Sequence, residues 1–255
     1  MFDKVIIKAT IDTADIDTIV LRNYLEQCTE GDEVYYKSTA YANFDGCFIE
    51  LRGNRLRCIC SICKLYSKGK TGKLDNSRPI TFAMAVRTIK EVLLRLCVRM
   101  ENAVVTYYEI GITMKMSLPA DSYIKQMYEV SGKYLWNDAN YSAFKQQTTE
   151  KSKYFRKVLK VYDKTFEAGE KGRNVGANIL RIETIYKHQS VPMTELTDNF
   201  FLSKVGRIFY KDWSEICFVR ELSASKGIKI SQLDRAREIY RIGVTRYKER
   251  YKQLY

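Results

Sequence analysis

Apolar and polar residues alternate along much of the first half of the chain, and alternation with a period of two is typical of half-buried β-strands. The alternation predicts strands over residues 4–10, 33–41, 44–52, 55–66 and 104–116. Gly53-Asn54 stands between two of these segments and predicts the turn of a β-hairpin. The spacing is helical over residues 15–28 and 81–99. The second helix has a continuous apolar stripe, so we expect it to pack across a sheet.

The second half of the chain begins with Pro119, which predicts the start of a short helix that runs to about Val130. Strand patterns return over residues 157–167 and 178–188, and from Pro192 onward the pattern is helical throughout. These elements predict an α+β fold, in which an antiparallel-rich sheet with a packed helix precedes a helical C-terminal region. The predicted domains are residues 1–190 and residues 191–255.

The net charge of the chain indicates what kind of partner it binds. The chain has 43 basic and 30 acidic residues among 255, a formal net charge of +13. Such an excess favours a polyanion, nucleic acid first, although an anionic membrane surface or charge that serves solubility alone are the alternatives. No apolar run approaches the roughly 20 residues that span a bilayer, and the first residues have no signal-peptide pattern. We therefore expect a cytoplasmic protein with no membrane association.

Two familiar kinds of site are disfavoured by the spacing of their residues. Cys58, Cys60 and Cys63 lie close together, but structural zinc sites use four ligands, and no second pair of cysteines follows. Small buried thiols are the favoured interpretation of these cysteines. The G-K-T-G-K run at residues 69–73 lacks the spacing of a phosphate-binding loop. Lysines in the surrounding predicted loop, residues 67–79, either contact a DNA backbone or are simply solvated.

Charged residues around a tyrosine give the chain its candidate chemistry. In an extended strand Lys160, Tyr162 and Lys164 would share one face. A phenol between two ammonium groups is a plausible nucleophile toward phosphate, although Tyr162 is also one of 19 tyrosines that could serve packing. On the next strand Arg181 and Glu183 share a face, as expected for a carboxylate that holds a metal or orients a substrate. The single histidine, His188, disfavours the serine and cysteine hydrolase triads.

Four segments together resemble a known family. They are I-E-L-R-G-N (Ile49–Asn54), Y-Y-E-I-G-I (Tyr107–Ile112), L-K-V-Y-D-K-T-F-E (Leu159–Glu167) and N-I-L-R-I-E-T-I-Y-K (Asn178–Lys187). In this order they resemble the motifs of the replication initiators of filamentous and related single-stranded DNA phages, the gene II protein group. The resemblance implies that Tyr162 is the nucleophile, with Lys164 and Glu167 in the matching places. The central acidic residue of that family is commonly aspartate, whereas this chain has Glu109.

The activity implied by the resemblance is rolling-circle initiation, with residues 1–190 as the nicking domain. Tyr162 would cut one DNA strand and form a 5′-phosphotyrosine, while Lys160 and Lys164 would favour the phenolate. A host polymerase and helicase would use the free 3′-hydroxyl. Tyr107 and Tyr108 are the reserve nucleophiles. A non-catalytic DNA-binding module and a relaxase-like or recombinase-like strand transferase are the alternatives.

The expected metal ligands follow from the same resemblance. A chain with one histidine cannot form the His-hydrophobic-His metal motif of the commoner rolling-circle initiators, so carboxylates would bind Mg2+ or Mn2+. The expected ligands are Glu109 and Glu183, then Glu50 and Glu167, although a structural salt bridge is the alternative for each. The expected DNA-binding residues are Lys68, Lys70, Lys73, Arg181, Lys187 and Trp136. For the aromatic segment around Trp136, an irregular insertion anchored by its own aromatics is equally consistent.

Overall fold

The computed structural model describes residues 2–38, 46–77, 79–130, 133–138, 141–146 and 156–218, together with residues 235, 238, 249 and 250. Its fold is α+β, as predicted. The strands are β1 (Phe2–Thr10), β2 (Glu26–Glu30), β3 (Glu33–Lys37), β4 (Cys47–Arg52), β5 (Arg55–Ser61), β6 (Ala103–Met116), β7 (Met127–Val130), β8 (Lys133–Tyr134), β9 (Trp136–Asp138), β10 (Tyr141–Gln146), β11 (Lys157–Asp163), β12 (Asn178–Tyr186), β13 (Val191–Pro192) and β14 (Ile216–Phe218). The helices are α1 (Ile16–Arg22), α2 (Ile62–Thr71), α3 (Phe82–Arg95), α4 (Ala120–Ile124), α5 (Lys164–Glu170), α6 (Met193–Leu196) and α7 (Asn199–Ser214).

The chain forms two compact units. The first consists of Met1–Ile112 and Ile185–Gly206, and the second of Thr113–Thr184 and Arg207–Tyr255. Among the described residues, no helix has both the length and the apolar character required to cross a bilayer.

The first unit contains an antiparallel sheet in the order β2-β3-β4-β5-β1-β6, with the short β13 also paired to β6. The predicted hairpin is confirmed, because β4 and β5 pair directly across Gly53-Asn54. Gly53 has a φ of +53°, which a residue without a Cβ adopts at little cost. Tight local pairing therefore fixes the register of these two strands.

Helix α3 confirms the predicted amphipathic helix of the first unit. The hydroxyl of Thr81 accepts a hydrogen bond from the backbone N–H of Met84 at 3.2 Å and caps the helix. Its buried face consists of Ala85, Thr88, Ile89, Val92 and Leu93. The ring of Phe82 packs edge-on against Phe2 of β1 at 5.4 Å between centroids. The helix ends at Arg95, before the predicted residue 99, and Cys97 has a left-handed φ of +52°.

Two other predicted boundaries in the first unit are wrong. The strand expected over residues 55–66 ends at Ser61, and α2 occupies the start of the expected loop. The helix buries Ile62 and Cys63. It ends at Thr71, and the next residue, Gly72, has a left-handed φ of +71°. Helix α1 also ends early, at Arg22, because the Asn23 side chain bonds back to the Ile19 carbonyl at 2.8 Å.

The second unit places β11 between β12 and β10, and β10 next to β9. A separate three-stranded sheet has the order β14-β7-β8. Met127–Val130 is therefore a strand rather than the end of the helix expected after Pro119. The region after Pro192 is not entirely helical, because Ile216–Phe218 pairs with β7. Residues 131–132, 139–140 and 147–155 lie outside the described part of the chain, as do residues 219–255 except 235, 238, 249 and 250.

Candidate active site

Tyr162 and Glu183 are in direct contact on neighbouring strands of the second unit. The phenolic hydroxyl of Tyr162 donates a hydrogen bond to Glu183 Oε1 at 2.9 Å. Arg181 Nε donates to the same oxygen at 2.6 Å, and Lys160 Nζ lies 2.7 Å from Oε2. Residues two apart on a strand share a face, so Lys160 with Tyr162 and Arg181 with Glu183 meet across β11 and β12. The sequence predicted both pairs.

The depth of this cluster differs from one side chain to the next. Arg181 is fully buried, Glu183 is 1% exposed and Tyr162 is 6% exposed. The Lys160 side chain keeps 20% of its surface exposed. Among these side chains, Lys160 therefore has the greatest access to solvent. Arg181, which we expected to contact DNA, is instead an internal partner of Glu183, and that prediction is wrong.

Glu183 stays ionised although it is buried. Burial alone would raise its pKa, but the charges of Lys160 and Arg181 and the hydrogen bonds from Lys160 and Tyr162 lower the pKa to about 2. The Tyr162 hydroxyl therefore points at a permanent negative charge near neutral pH. This fixes the direction of the phenol O–H bond.

Two ammonium groups lie over the Tyr162 ring. Lys160 Nζ is 4.8 Å and Lys164 Nζ is 5.8 Å from the ring centroid, both within the range of cation–π contacts. The sequence predicted Lys164 on the strand, but in the structure Lys164 begins helix α5. Asp163 caps this helix by accepting a hydrogen bond from the Phe166 N–H at 3.0 Å. The ammonium nevertheless reaches the tyrosine from the first turn of the helix.

Glu167 is also on α5 rather than on a strand, and it binds lysines. Its carboxylate accepts hydrogen bonds from the ammonium groups of Lys164 and Lys171. Partial burial opposes ionisation, but these two hydrogen bonds lower the pKa of Glu167 to about 2. The alternative considered for this residue, a structural ion pair, fits the structure, and among the described residues Glu167 is not in a group of potential metal ligands.

The first unit has an acidic pair that sequence reasoning recognised only in part. Carboxylate oxygens of Asp3 on β1 and Glu109 on β6 lie within 4.8 Å of each other, and both residues are buried. The Tyr107 hydroxyl donates a hydrogen bond to Glu109. Glu109 was predicted as a metal ligand, whereas Asp3 was missed. The signal for Asp3 was a carboxylate within the first apolar run, just before the predicted start of the strand.

A β-bulge creates this acidic pair. Phe2 pairs with Ile110 and Val5 pairs with Tyr108, so Asp3 and Lys4 together oppose the single residue Glu109. An extra residue of this kind re-aims side chains and occurs often next to functional sites.

Glu50 has a different environment from the acidic pair. A carboxylate oxygen of Glu50 lies 3.2 Å from Arg52 Nε on the same strand. Arg52 Nη2 is 2.7 Å from Glu30, and Arg52 Nη1 is 2.7 Å from Glu33. This is the ordinary strand salt bridge considered as the alternative for Glu50. Within the described part of the chain, Glu50 belongs to no group that could hold a metal ion.

The predicted DNA contacts are spread over the chain. Lys68 and Lys70 lie on α2 rather than in a loop, and Lys73 follows that helix; Lys70 and Lys73 are exposed. Lys187 is half-buried, and desolvation lowers its pKa although the charge of Glu109 acts in the opposite direction. The side chain of Trp136 lies outside the described part.

The reserve tyrosines have other contacts. Tyr108 stacks on Tyr186 at 4.6 Å between ring centroids and packs edge-on against Phe2. Tyr107 is bound to Glu109, and Lys4 Nζ lies 5.6 Å from its ring centroid. Tyr108 is thus a packing residue, and Tyr107 belongs to the acidic pair.

No protein-family model matches this chain, and no curated protein matches it. The resemblance to the phage initiators therefore stays a prediction.

Proposed function

We propose that this protein cuts and rejoins a single DNA strand, with Tyr162 as the nucleophile, and initiates rolling-circle replication in the cytoplasm of a bacterial host. The observation that carries the proposal is the hydrogen bond from Tyr162 to the ionised, buried Glu183, with Lys160 and Arg181 on the same carboxylate. A tyrosine with its hydroxyl oriented in this way and a lysine at the solvent side suits attack on a phosphodiester.

In the cutting step, the Tyr162 oxygen forms a bond to phosphorus, and the bond from phosphorus to the 3′-oxygen breaks. A carboxylate with a pKa of about 2 is too weak a base to keep the phenolic proton. Glu183 therefore orients the hydroxyl, and the proton passes to water. Lys160 and Lys164 stabilise the phenolate charge. The departing 3′-oxygen takes a proton from water and becomes a free hydroxyl.

Rejoining is the same reaction in reverse. The 3′-hydroxyl of a strand end attacks the phosphotyrosine, and Tyr162 leaves. Because the ester bond is kept in the protein adduct, neither step needs a nucleotide cofactor. Between the two steps a host polymerase and helicase would extend the free 3′-end.

The acidic pair, Asp3 and Glu109, fits the proposed Mg2+ or Mn2+ ion, since buried carboxylate oxygens are the hard ligands that these ions take. When bound, the ion would act as a Lewis acid. Glu50 and Glu167 do not fit, because arginine or lysine groups already bind them. Glu183 belongs to a group of carboxylates that could hold a metal ion, although Arg181 and Lys160 also bind it. The exposed Lys70 and Lys73 would contact the DNA backbone.

The proposal is tested with single-stranded oligonucleotides of randomised sequence that carry a fluorescent label at the 3′-end, incubated with the protein and Mg2+ or Mn2+. Attack at the 5′-phosphate leaves the labelled fragment on the protein, so a fluorescent protein band is expected on a denaturing gel. Tyr162→Phe should abolish that band. Tyr35→Phe, at another buried tyrosine, should retain it. An undiminished band with Tyr162→Phe would refute the proposal.

The low exposure of Tyr162, 6%, favours one second candidate, a DNA-binding module without chemistry. On that hypothesis the wild-type protein retards the oligonucleotides in a native gel, but neither it nor Tyr162→Phe gives a labelled protein band.

A further inference from the structure

Three cysteines from two paired strands of the first unit meet in its core. Cys47 of β4 lies directly opposite Cys60 of β5, and Cys58 is two residues before Cys60 on the same face. The three Sγ atoms all lie within 4.8 Å of one another. Cys58 Sγ and Cys60 Sγ are 3.1 Å apart. The pairing of β4 with β5 therefore brings Cys47 next to Cys58 and Cys60 in one sulfur cluster.

The cluster is sealed from solvent. Cys47 is 4% exposed, and Cys58 and Cys60 are completely buried. A bound cation would give these buried sulfurs a partner for thiolate charge.

Zinc was disfavoured from the sequence because Cys58, Cys60 and Cys63 have no second pair of cysteines to complete four ligands. In the structure Cys63 is engaged elsewhere, since its thiol donates to the Phe2 carbonyl at 3.4 Å. Cys47 takes the third place instead. A thiolate ligand lies about 2.3 Å from a zinc ion, so three sulfurs within 4.8 Å of one another can surround one ion.

We infer that Cys47, Cys58 and Cys60 bind one thiophilic d10 metal ion, Zn2+ or Cu+, which links β4 to β5. Thiolates select these soft ions over Mg2+, Mn2+ or Ca2+. The site is independent of the proposed DNA chemistry, because none of the three cysteines belongs to the tyrosine cluster or to the acidic pair. Its role is structural, since metal binding by a closed site contributes directly to folding stability.

The test uses the full chain, reduced and freed of metal with a chelator, in a background that removes every thiol outside the cluster except that of Cys63. That background is C28S/C97S/C217S. Titration with Co2+ should give one equivalent of near-ultraviolet thiolate charge-transfer absorbance, and Zn2+ should displace it. In a separate arm, Cu+ is titrated against a Cu+ chelator that changes colour. Together the two titrations show which of the ions the three sulfurs can hold.

Matched variants test the ligand assignment. Cys47→Ala should weaken metal affinity by at least on the order of 100-fold, and the metal should no longer raise the melting temperature. Cys63→Ala, which removes an equally buried thiol outside the cluster, should leave the affinity unchanged. If Cys47→Ala does not fold, the isosteric Cys47→Ser replaces it.

The inference is overturned if the wild-type background binds none of Co2+, Zn2+ and Cu+ at one equivalent. It is also overturned if Cys63→Ala weakens binding as much as Cys47→Ala does. In the first case the cysteines are neutral packing groups, and in the second case the ligand assignment is wrong.

Discussion

Replacing Glu183 with glutamine removes a buried negative charge and keeps the size of the side chain. The amide oxygen of glutamine can still accept the hydrogen bond from Tyr162. It no longer offsets the charges of Lys160 and Arg181, and Arg181 is fully buried. Glu183→Gln therefore isolates the electrostatic contribution of this carboxylate.

The size of that contribution can be worked out in two ways. Lowering the pKa of Glu183 from its usual 4.5 to about 2, at 1.36 kcal/mol for each pKa unit, corresponds to about 3 kcal/mol of folding free energy. Removing one partner of a buried ion pair typically costs about 3–5 kcal/mol. We therefore expect Glu183→Gln to lower the free energy of unfolding by about 3–4 kcal/mol at pH 7.

The assay is urea unfolding, followed by tryptophan fluorescence for the second unit and by circular dichroism for the whole chain. Trp213 donates a hydrogen bond from Nε1 to Thr184 Oγ1 at 3.1 Å, so it reports on the unit that contains the cluster. A Trp136→Phe background leaves it as the single tryptophan. The matched control is Glu50→Gln, whose partner Arg52 also binds Glu30 and Glu33 near the surface. This control should cost less than about 1 kcal/mol.

The stabilising contribution of Glu183 should decrease as the pH falls. Because the pKa of Glu183 is lowered by folding, its contribution is fully present above pH 4.5 and is lost as the pH falls from 4.5 to about 2. The difference between wild type and Glu183→Gln should shrink over that interval. An equal cost for Glu183→Gln and Glu50→Gln, or a difference that is constant down to pH 2, would refute the reasoning.

Three smaller effects follow from the same contacts. Glu167→Gln removes the carboxylate that binds the buried Lys164 and should cost about 1–3 kcal/mol in urea unfolding at pH 7; no loss would show that this ion pair is not stabilising. Burial and then the charge of Glu195 raise the pKa of Tyr108 to about 12, so stability should fall by up to about 2 kcal/mol between pH 10 and 12. Tyr108→Phe should not show that fall, and an identical pH profile would contradict the assignment. Thr81→Ala removes the cap of α3 and should cost about 1 kcal/mol; an unchanged urea midpoint would rule the cap out.

Local patterns were enough to predict the parts of the fold that local forces determine. The β4–β5 hairpin follows from Gly53, which adopts a positive φ, and α3 follows from its apolar stripe and the cap at Thr81. The contact between Tyr162 and Glu183 could be predicted only in part. The period of two along each strand placed Tyr162 on a face with Lys160, and Glu183 on a face with Arg181. The sequence could not show that β11 and β12 are neighbours.

The remaining features depend on relations between segments. The change from strand to helix after Asp163 requires that side chain to cap a helix and requires Lys164 to be buried, whereas alternation alone favours a longer strand. Arg181 was expected to meet DNA because the sequence does not show that its face of β12 is buried. Asp3 reaches Glu109 through a bulge, which is a property of two strands and not of one.

The cysteine cluster shows the same limit from the opposite side. Spacing in the sequence grouped Cys63 with Cys58 and Cys60, but Cys63 lies in the first turn of α2 and donates a hydrogen bond to the Phe2 carbonyl. Strand register brings in Cys47 instead. Ligand sets that close across a hairpin cannot be read from spacing along one segment.

Transfer of a 3′-labelled DNA fragment onto the protein tests most directly whether Tyr162 is the nucleophile. The proposed role of Tyr162 predicts that the wild-type chain with Mg2+ or Mn2+ becomes covalently labelled, and that mass spectrometry of the digested adduct places the nucleotide on Tyr162. A nucleotide on any other residue, or wild-type protein that binds the oligonucleotides and is never labelled, would contradict it.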